Sequence, residues 1–396
     1  MLVVVAPGQG AQSPGFLSPW LEVDGVAPAL EWLSTVADVD LVAHGTTSDA
    51  DTIRDTAVAQ PLLVAGGLVA HRALGTAAGQ PNAAAGHSVG EITAAVVAGV
   101  LSAEQAMVLV RERGRAMAAA AATTPTGMTA VLGGTADDVT ATLARHGLTP
   151  ANVNGAGQVV AAGTTDQLAS LAADPPAKAR LRPLPVAGAF HTEHMAPAVD
   201  RLASLVAGMS VAEPRSTLLS NRDGAIVVTG QDAVSRLVAQ VSTPVRWDAC
   251  MTTMADLGVT GLLELSPAGT LTGLARRGLP GVATFALSTP DQLDDARAFV
   301  ADHGTSEPGA TRTPSWRLVV APIKGTVSTV AHAVGTALDP GALVGHIRSL
   351  RDAWDVVAPH GGRVVEWLVE DGDPVSPGQP LVRLHPAQDD TSESAA

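Results

Sequence analysis

The segment Gly86-His87-Ser88-Val89-Gly90-Glu91 places a serine between two glycines at the spacing a nucleophile needs. In a Gly-x-Ser-x-Gly turn the serine stands on a sharp strand-to-helix corner, and the flanking glycines let the two backbones pack that closely. The surroundings suit this geometry. Residues 82–85 form a short apolar run that can enter as a buried strand, and residues 91–98 can leave as a helix that stops near Gly99. The start of that helix would aim unpaired amides at negative charge developing beside Ser88. In a chain with 40 glycines the pentapeptide has little specificity by itself, so the rest of the sequence must decide its meaning.

A chain of 396 residues with 46% hydrophobic content can bury large cores and fill two or three domains. No run approaches the roughly eighteen consecutive apolar residues of a membrane helix, and residues 1–6 lack the basic start of a signal peptide. A soluble, cytoplasmic protein is expected. The single cysteine, Cys250, excludes an internal disulfide and a cysteine zinc site. Thirty-eight acidic against 24 basic residues give a net charge of −14, which repels nucleic acid unless a basic face is segregated, and no basic run occurs. Lysine is present only at Lys178 and Lys324.

The elements that must position Ser88 come from residues 1 to about 300, where short apolar runs alternate with helical stretches, the pattern of a mainly parallel α/β sheet. Within it, residues 128–132, 136–146 and 158–162 read as strand, helix, strand, followed by a short helix and the run 180–186. That alternation predicts a compact subdomain over 127–187, inserted between core segments 1–126 and 188–302. Residues 303–315, rich in Gly, Thr, Ser and Pro without apolar period, read as a linker. The acidic end, 387–396, reads as a disordered tail.

Between linker and tail the chain repeats itself. Val319-Val320-Ala321-Pro322 with Gly325 and Val327 returns 37 residues later as Val356-Val357-Ala358-Pro359 with Gly362 and Val364. Gly335 matches Gly372, and Pro340-Gly341 matches Pro377-Gly378. Over residues 316–386 this resembles the biotinyl/lipoyl carrier domain, a small flattened all-β barrel. In that family the modified lysine sits on the hairpin between the half-repeats. Leu350-Arg351 stand there in this chain, and arginine cannot form the amide. Lys324 falls opposite Gly361, away from the hairpin. The resemblance therefore implies the fold without biotin or lipoate, and a docking role toward a further protein partner becomes the expected use of the module.

Other motifs make the opening one specific. Pro7-Gly8-Gln9-Gly10-Ala11-Gln12 follows the first apolar run, and its glycines allow a loop to fold over a site at the strand's end. Taken in order with Gly86 to Glu91, Gln60-Pro61, Arg113-Gly114, Gly157-Gln158-Val159-Val160, Gly188-Ala189-Phe190-His191 and Ser220-Asn221-Arg222-Asp223-Gly224, it resembles the malonyl-CoA:acyl carrier protein transacylases of actinobacterial type over residues 1 to about 295. The resemblance implies an α/β-hydrolase-like core with an inserted ferredoxin-like subdomain.

It also implies roles. Ser88 would accept the acyl group and His191 would act as general base, a dyad without a third carboxylate. A backbone carbonyl in the neighbourhood of Gln240 would hold the histidine ring. The amides of Gln9 and Val89 would form the oxyanion hole. Arg113 would grip the free malonyl carboxylate with paired hydrogen bonds, although Arg111 and Arg115 beside it also allow a plain surface helix. Phe190 resembles the malonyl-selective variant of the family, where a ring fills the space of an α-methyl group. Malonyl-CoA and acyl carrier protein are the implied partners, with no cofactor, no nucleic acid and no membrane. Arg182, Arg222, Arg276 and Arg277 are candidates for a basic rim facing an acidic carrier. A thioesterase or esterase built on the same serine is the competing activity.

His191-Thr192-Glu193-His194 has neither the helical His-Glu-x-x-His pattern nor further clustered ligands, so no metal site is expected. His87 reads as a packing residue beside the nucleophile. No Gly-x-Gly-x-x-Gly and no terminal Gly-Lys-Ser/Thr occur.

Overall fold

Leu2–Ala6 is apolar at every position and forms a strand buried on both faces. A computed structural model describes residues 1–75, 79–155, 157–186, 188–305, 317–330, 332–349 and 352–385, and the chain divides into two compact units, Met1–Gly309 and Ala310–Ala396. Leu2–Ala6 lies centrally in a six-stranded sheet ordered Ala283–Ala286, Gly261–Glu264, Leu2–Ala6, Ala83–Gly86, Thr217–Leu219, Ile226–Val227. Every neighbouring pair is parallel except the last.

Side chains alternate across this sheet. Leu2, Val4, Ala84 and Leu263 enter one hydrophobic cluster, while Val3, Val5, Ala83, Ala85 and Leu262 enter another on the opposite face. Helices cover both. The long helices Thr56–Leu74 and Ala103–Ala121 pack against each other in the larger cluster. Ala103–Ala121 starts from a capping box in which Ser102 and Gln105 satisfy each other's backbone amides. Among the described residues, Thr56–Leu74 is the one helix long and apolar enough to cross a membrane, with a mean hydropathy of 1.3, yet 72% of that stretch is buried inside the protein. It is apolar all round because neighbours surround it.

The inserted segment runs Thr126–Gly133, Ala136–Arg145, Thr149–Val153, Gln158–Thr164, Thr165–Ala173, Ala179–Pro183, in the order strand, helix, strand, strand, helix, strand. Its strands pair antiparallel, and Val245–Arg246, from far along the chain, adds a parallel fifth beside Thr149–Val153. Thr149–Val153 is a strand that the apolar pattern does not announce, because Pro150 and Asn152 interrupt it. The linker expected from residue 303 starts later, since helix Leu293–His303 continues to that point and Thr305 bridges to Gln80. The remainder of that linker, the hairpin residue Arg351 and the tail 387–396 lie outside the described residues.

The second unit is β-rich. Its strands form two four-stranded sheets, Arg317–Val320, Pro380–His385, Gly362–Trp367, Ala337–Leu338 and Ala353–Val357, Leu343–Arg348, Gly325–Thr329, Pro374–Val375. Advancing the first-half members of one sheet by 37 residues, one full repeat, and moving its second-half members back by the same amount, reproduces the other sheet. The two sheets close over one apolar cluster that includes Val327, Ile347, Val364 and Leu384. Lys324 is exposed in the loop before Gly325–Thr329.

Backbone packing at the Ser88 corner is tight. A Cβ on Gly86 would lie 2.0 Å from the carbonyl carbon of Gly90, and one on Gly90 would lie 2.1 Å from the carbonyl oxygen of Ala6. Backbone cannot yield as a side chain can, so Gly86→Ala should lower stability by about 2 kcal/mol or more in urea melts. Gly273→Ala, inside helix Thr270–Gly278 with no atom beyond its own helical turn within 4 Å of the new methyl, should instead raise it by about 0.5–1 kcal/mol.

Candidate active site

Ser88 occupies the corner between strand Ala83–Gly86 and helix Gly90–Val97, with φ at +54°. A non-glycine residue there is strained, and its surroundings must hold it. Asn221 does so from the loop after Thr217–Leu219. Its Oδ1 accepts the Ser88 N–H at 2.8 Å, and its Nδ2 donates to the carbonyl of Gly86 at 2.7 Å, so one amide clasps both sides of the turn.

The Ser88 hydroxyl donates to His191 Nε2 at 2.8 Å. On the other side of the ring, His191 Nδ1–H donates to the carbonyl of Gln240 at 2.7 Å. That carbonyl is available because helix Gly230–Ala239 gives way at Gln240–Ser242 to a tighter turn, which frees acceptors at the helix end. The acceptor fixes the tautomer: Nδ1 carries the proton and Nε2 faces the serine. His191 is itself at φ +62° and 3% exposed. Burial, and next the charge of Arg113, push its pKa down to about 3, against the pull of the Gln240 carbonyl. The resting imidazole is a neutral base.

Arg113 points inward from helix Ala103–Ala121. Residues two apart on a helix differ by about 200° in direction, so Arg111 and Arg115 leave on the other side. They pair there with Glu112 and Asp38. Arg113 is 2% exposed and donates to Gln60 Oε1 at 2.7 Å and to Gln240 Oε1 at 2.8 Å, with one nitrogen 3.4 Å from Ser88 Oγ. Both principal acceptors are neutral amides. Among the described residues no carboxylate lies within ion-pair distance of this guanidinium, and burial lowers its pKa to about 10.

Four of the residues singled out in the sequence, Ser88, His191, Arg113 and Gln240, thus meet in one hydrogen-bonded cluster. The others stand around it differently. The Gln9 side chain bonds the Arg54 carbonyl and Thr56 Oγ1, which fastens its loop to the start of helix Thr56–Leu74. Val89 is fully buried at the start of helix Gly90–Val97. Among the described residues neither main-chain amide has an acceptor. The Phe190 ring is buried in the larger hydrophobic cluster, directly before His191. His87 packs edge-on against Trp247 and bonds Asn154 Oδ1 through Nε2 at 2.8 Å. Arg182, Arg222, Arg276 and Arg277 are all exposed.

Gln60, Glu91 and Asn221 stand within the sequence motifs, but nothing in those motifs gives them a role. The missing signal is three-dimensional, because each acts through a partner 19 to 149 residues away.

A parallel α/β core, a serine on a strained strand-to-helix corner and a histidine base held by a main-chain carbonyl define an acyl transferase, and the family model described as "Acyl transferase domain" matches residues 3–302. The malonyl CoA-acyl carrier protein transacylase of Mycobacterium tuberculosis is 51% identical over 298 residues, covering 74% of this chain and 99% of that protein. The crystal structure of MCAT from the same organism superposes with a TM-score of 0.73 at 51% identity, over 75% of this chain and 99% of that one. A malonyl-transacylase solved in complex with a type II PKS acyl-carrier protein superposes with a TM-score of 0.72 at 30% identity, over 75% and 99%. The chain belongs to the malonyl CoA-acyl carrier protein transacylase family.

An imidazole that stays neutral far below the usual histidine range should leave Ser88 reactive in mild acid. Labelling by an uncharged fluorophosphonate, followed by intact mass, should change less than about twofold between about pH 7.5 and about pH 5.5, whereas an imidazole of ordinary pKa would lose about tenfold of its neutral form. An inflection near pH 6.5 that disappears in His191→Ala would contradict the shift.

Proposed function

We propose that this chain moves the malonyl group from malonyl-CoA to the phosphopantetheine thiol of an acyl carrier protein by way of a malonyl ester on Ser88. His191 takes the Ser88 proton as the oxygen attacks the thioester carbonyl, and returns it to the departing CoA sulfur. In the second half-reaction it takes the proton of the carrier thiol and returns it to Ser88. The amides of Gln9 and Val89 hold the oxyanion in both halves. Losing one such donor costs about 3 kcal/mol in other enzymes. Phe190 restricts space beside the acyl group, where a methyl branch is worth roughly 1–3 kcal/mol.

The observation that carries the reading is Arg113: a buried guanidinium beside the nucleophile, with amide acceptors and no carboxylate of its own. Such a group is suited to a substrate that brings a carboxylate. The exposed arginines 182, 222, 276 and 277 supply cationic surface for an acidic carrier. Fatty-acid or polyketide synthesis in the cytoplasm would consume the product.

The strand-helix order of the inserted segment favours a ferredoxin-like subdomain on an α/β-hydrolase-like core. The interchange of strands between the two sheets of the second unit favours a flattened barrel of the biotinyl/lipoyl kind. We assign that unit a docking role without attached biotin or lipoate, with Arg351 in the place of the modifiable lysine.

Mixing the protein with malonyl-CoA should give a mass increase on Ser88 that holo carrier protein removes faster than water does, and Ser88→Ala should abolish it. Loss to water at the same rate would make the enzyme a thioesterase. Arg113→Ala should cost on the order of 100-fold in malonyl transfer, the loss that follows truncating one partner of a buried charged pair. Ending the chain after residue 309 should leave kinetics with free substrates intact, and intact mass of the full chain should equal the unmodified sequence. Lost activity in the truncated protein would make the second unit structural instead of a docking element.

A further inference from the structure

Glu91 closes the Ser88 motif yet has no part in the steps above. It lies in the first turn of helix Gly90–Val97 and is 5% exposed. Its two oxygens reach two different loops. Oε1 accepts the main-chain N–H of Asn221 at 2.7 Å, and Oε2 accepts from Gln240 Nε2. Each partner then touches the reaction centre. Asn221 Oδ1 holds the Ser88 amide, while Gln240 receives His191 on its main-chain carbonyl and Arg113 on its side-chain oxygen.

A guanidinium only donates and a carboxylate only accepts, so the amide lying between Arg113 and Glu91 has a single workable orientation, oxygen toward the arginine and nitrogen toward the glutamate. The charges follow the same path. Glu91 balances Arg113 across one amide and takes up none of the N–H groups that a substrate carboxylate would use.

We infer that Glu91 is a positioning residue for donor selection: it locks the Gln240 amide and offsets the Arg113 charge at one remove, leaving the guanidinium open to the malonyl carboxylate. This rests on the malonyl-transfer reading. Its ionised form is the active one, since a proton on either oxygen would confront a donor. Burial pushes the Glu91 pKa up to about 8, opposed by the Asn221 amide, Arg113 and Gln240. The other groups facing it are Arg236, paired with Asp223 and Asp232, and the Cys250 thiol, which burial pushes above its ordinary range. The hold on Arg113 should therefore tighten as pH rises from about 7 to about 9.

The experiment compares single-turnover acylation of Ser88 by malonyl-CoA and by acetyl-CoA across that interval, in the full chain and in Glu91→Gln and Arg113→Ala. In Glu91→Gln the new amide hydrogens meet the Asn221 N–H or the Gln240 side-chain amide N–H, both donors, and Gln240 turns its nitrogen to Arg113. Malonyl acylation should fall about 10–100-fold, the range for losing hydrogen bonds to charged groups, and acetyl acylation less than about threefold. The preference for malonyl should rise with pH in the unaltered protein and stay flat in the variant. Equal losses for both donors, or no loss, would overturn the inference. Loss of the cooperative melt in Glu91→Gln would move the decision to Glu91→Gln/Gln240→Glu, which restores donor–acceptor matching but sets a carboxylate directly on Arg113. It should melt like the unaltered protein and still lack malonyl preference; recovered preference would refute balance at one remove. A malonyl preference unchanged in Arg113→Ala, or an unaltered protein that does not malonylate Ser88, would overturn the underlying reading instead.

Discussion

Arg113 keeps a full positive charge where water does not reach. An isolated ion there costs several kcal/mol in desolvation, so the surrounding fold must supply acceptors. It supplies two side-chain amides, Gln60 from helix Thr56–Leu74 and Gln240 from the turn after helix Gly230–Ala239. Each of those helices is held by its own apolar packing in the larger cluster. The arrangement satisfies the guanidinium without neutralising it. A substrate carboxylate held there, as proposed, would find the cation desolvated in advance and its surroundings already organised before binding.

That charge also sets the behaviour of the base. His191 is buried near Arg113, and both burial and the cation favour the neutral imidazole. Passing the Ser88 proton to His191 creates a second positive charge in the same cluster. In the proposed reaction a malonyl carboxylate on Arg113 would offset it, so the group proposed to identify the donor would also lower the cost of the proton transfer. Strain adds to the constraint: Ser88 and His191 both sit at left-handed backbone angles. Asn221 and the Gln240 turn, in which Val241 accepts the His191 amide, hold them there.

Much of this was legible in the chain. Glycines flanking Ser88 announced the corner, and the 37-residue repeat foretold a second strand set matching the first. The inward turn of Arg113 required helical geometry to separate it from Arg111 and Arg115. The strand Thr149–Val153 escaped notice because Pro150 and Asn152 dilute its apolar content, while pairing on both sides holds it in the sheet. Glu91 and Asn221 were visible as motif residues only. Their work is done through hydrogen bonds spanning 130 or more residues, and no local pattern encodes such a pairing.

The interchanged sheets of the second unit have a consequence for synthesis. Each sheet takes two strands from either half-repeat, and Pro380–His385, close to the end of the chain, pairs with both Arg317–Val320 and Gly362–Trp367. A half-repeat emerging alone therefore cannot bury its apolar side chains, and the unit can close only after its final strand has left the ribosome. The acyltransferase part, whose last helix ends at His303, has all of its strands available long before that moment. The small unit can therefore close only after the strands of the acyltransferase part are all available.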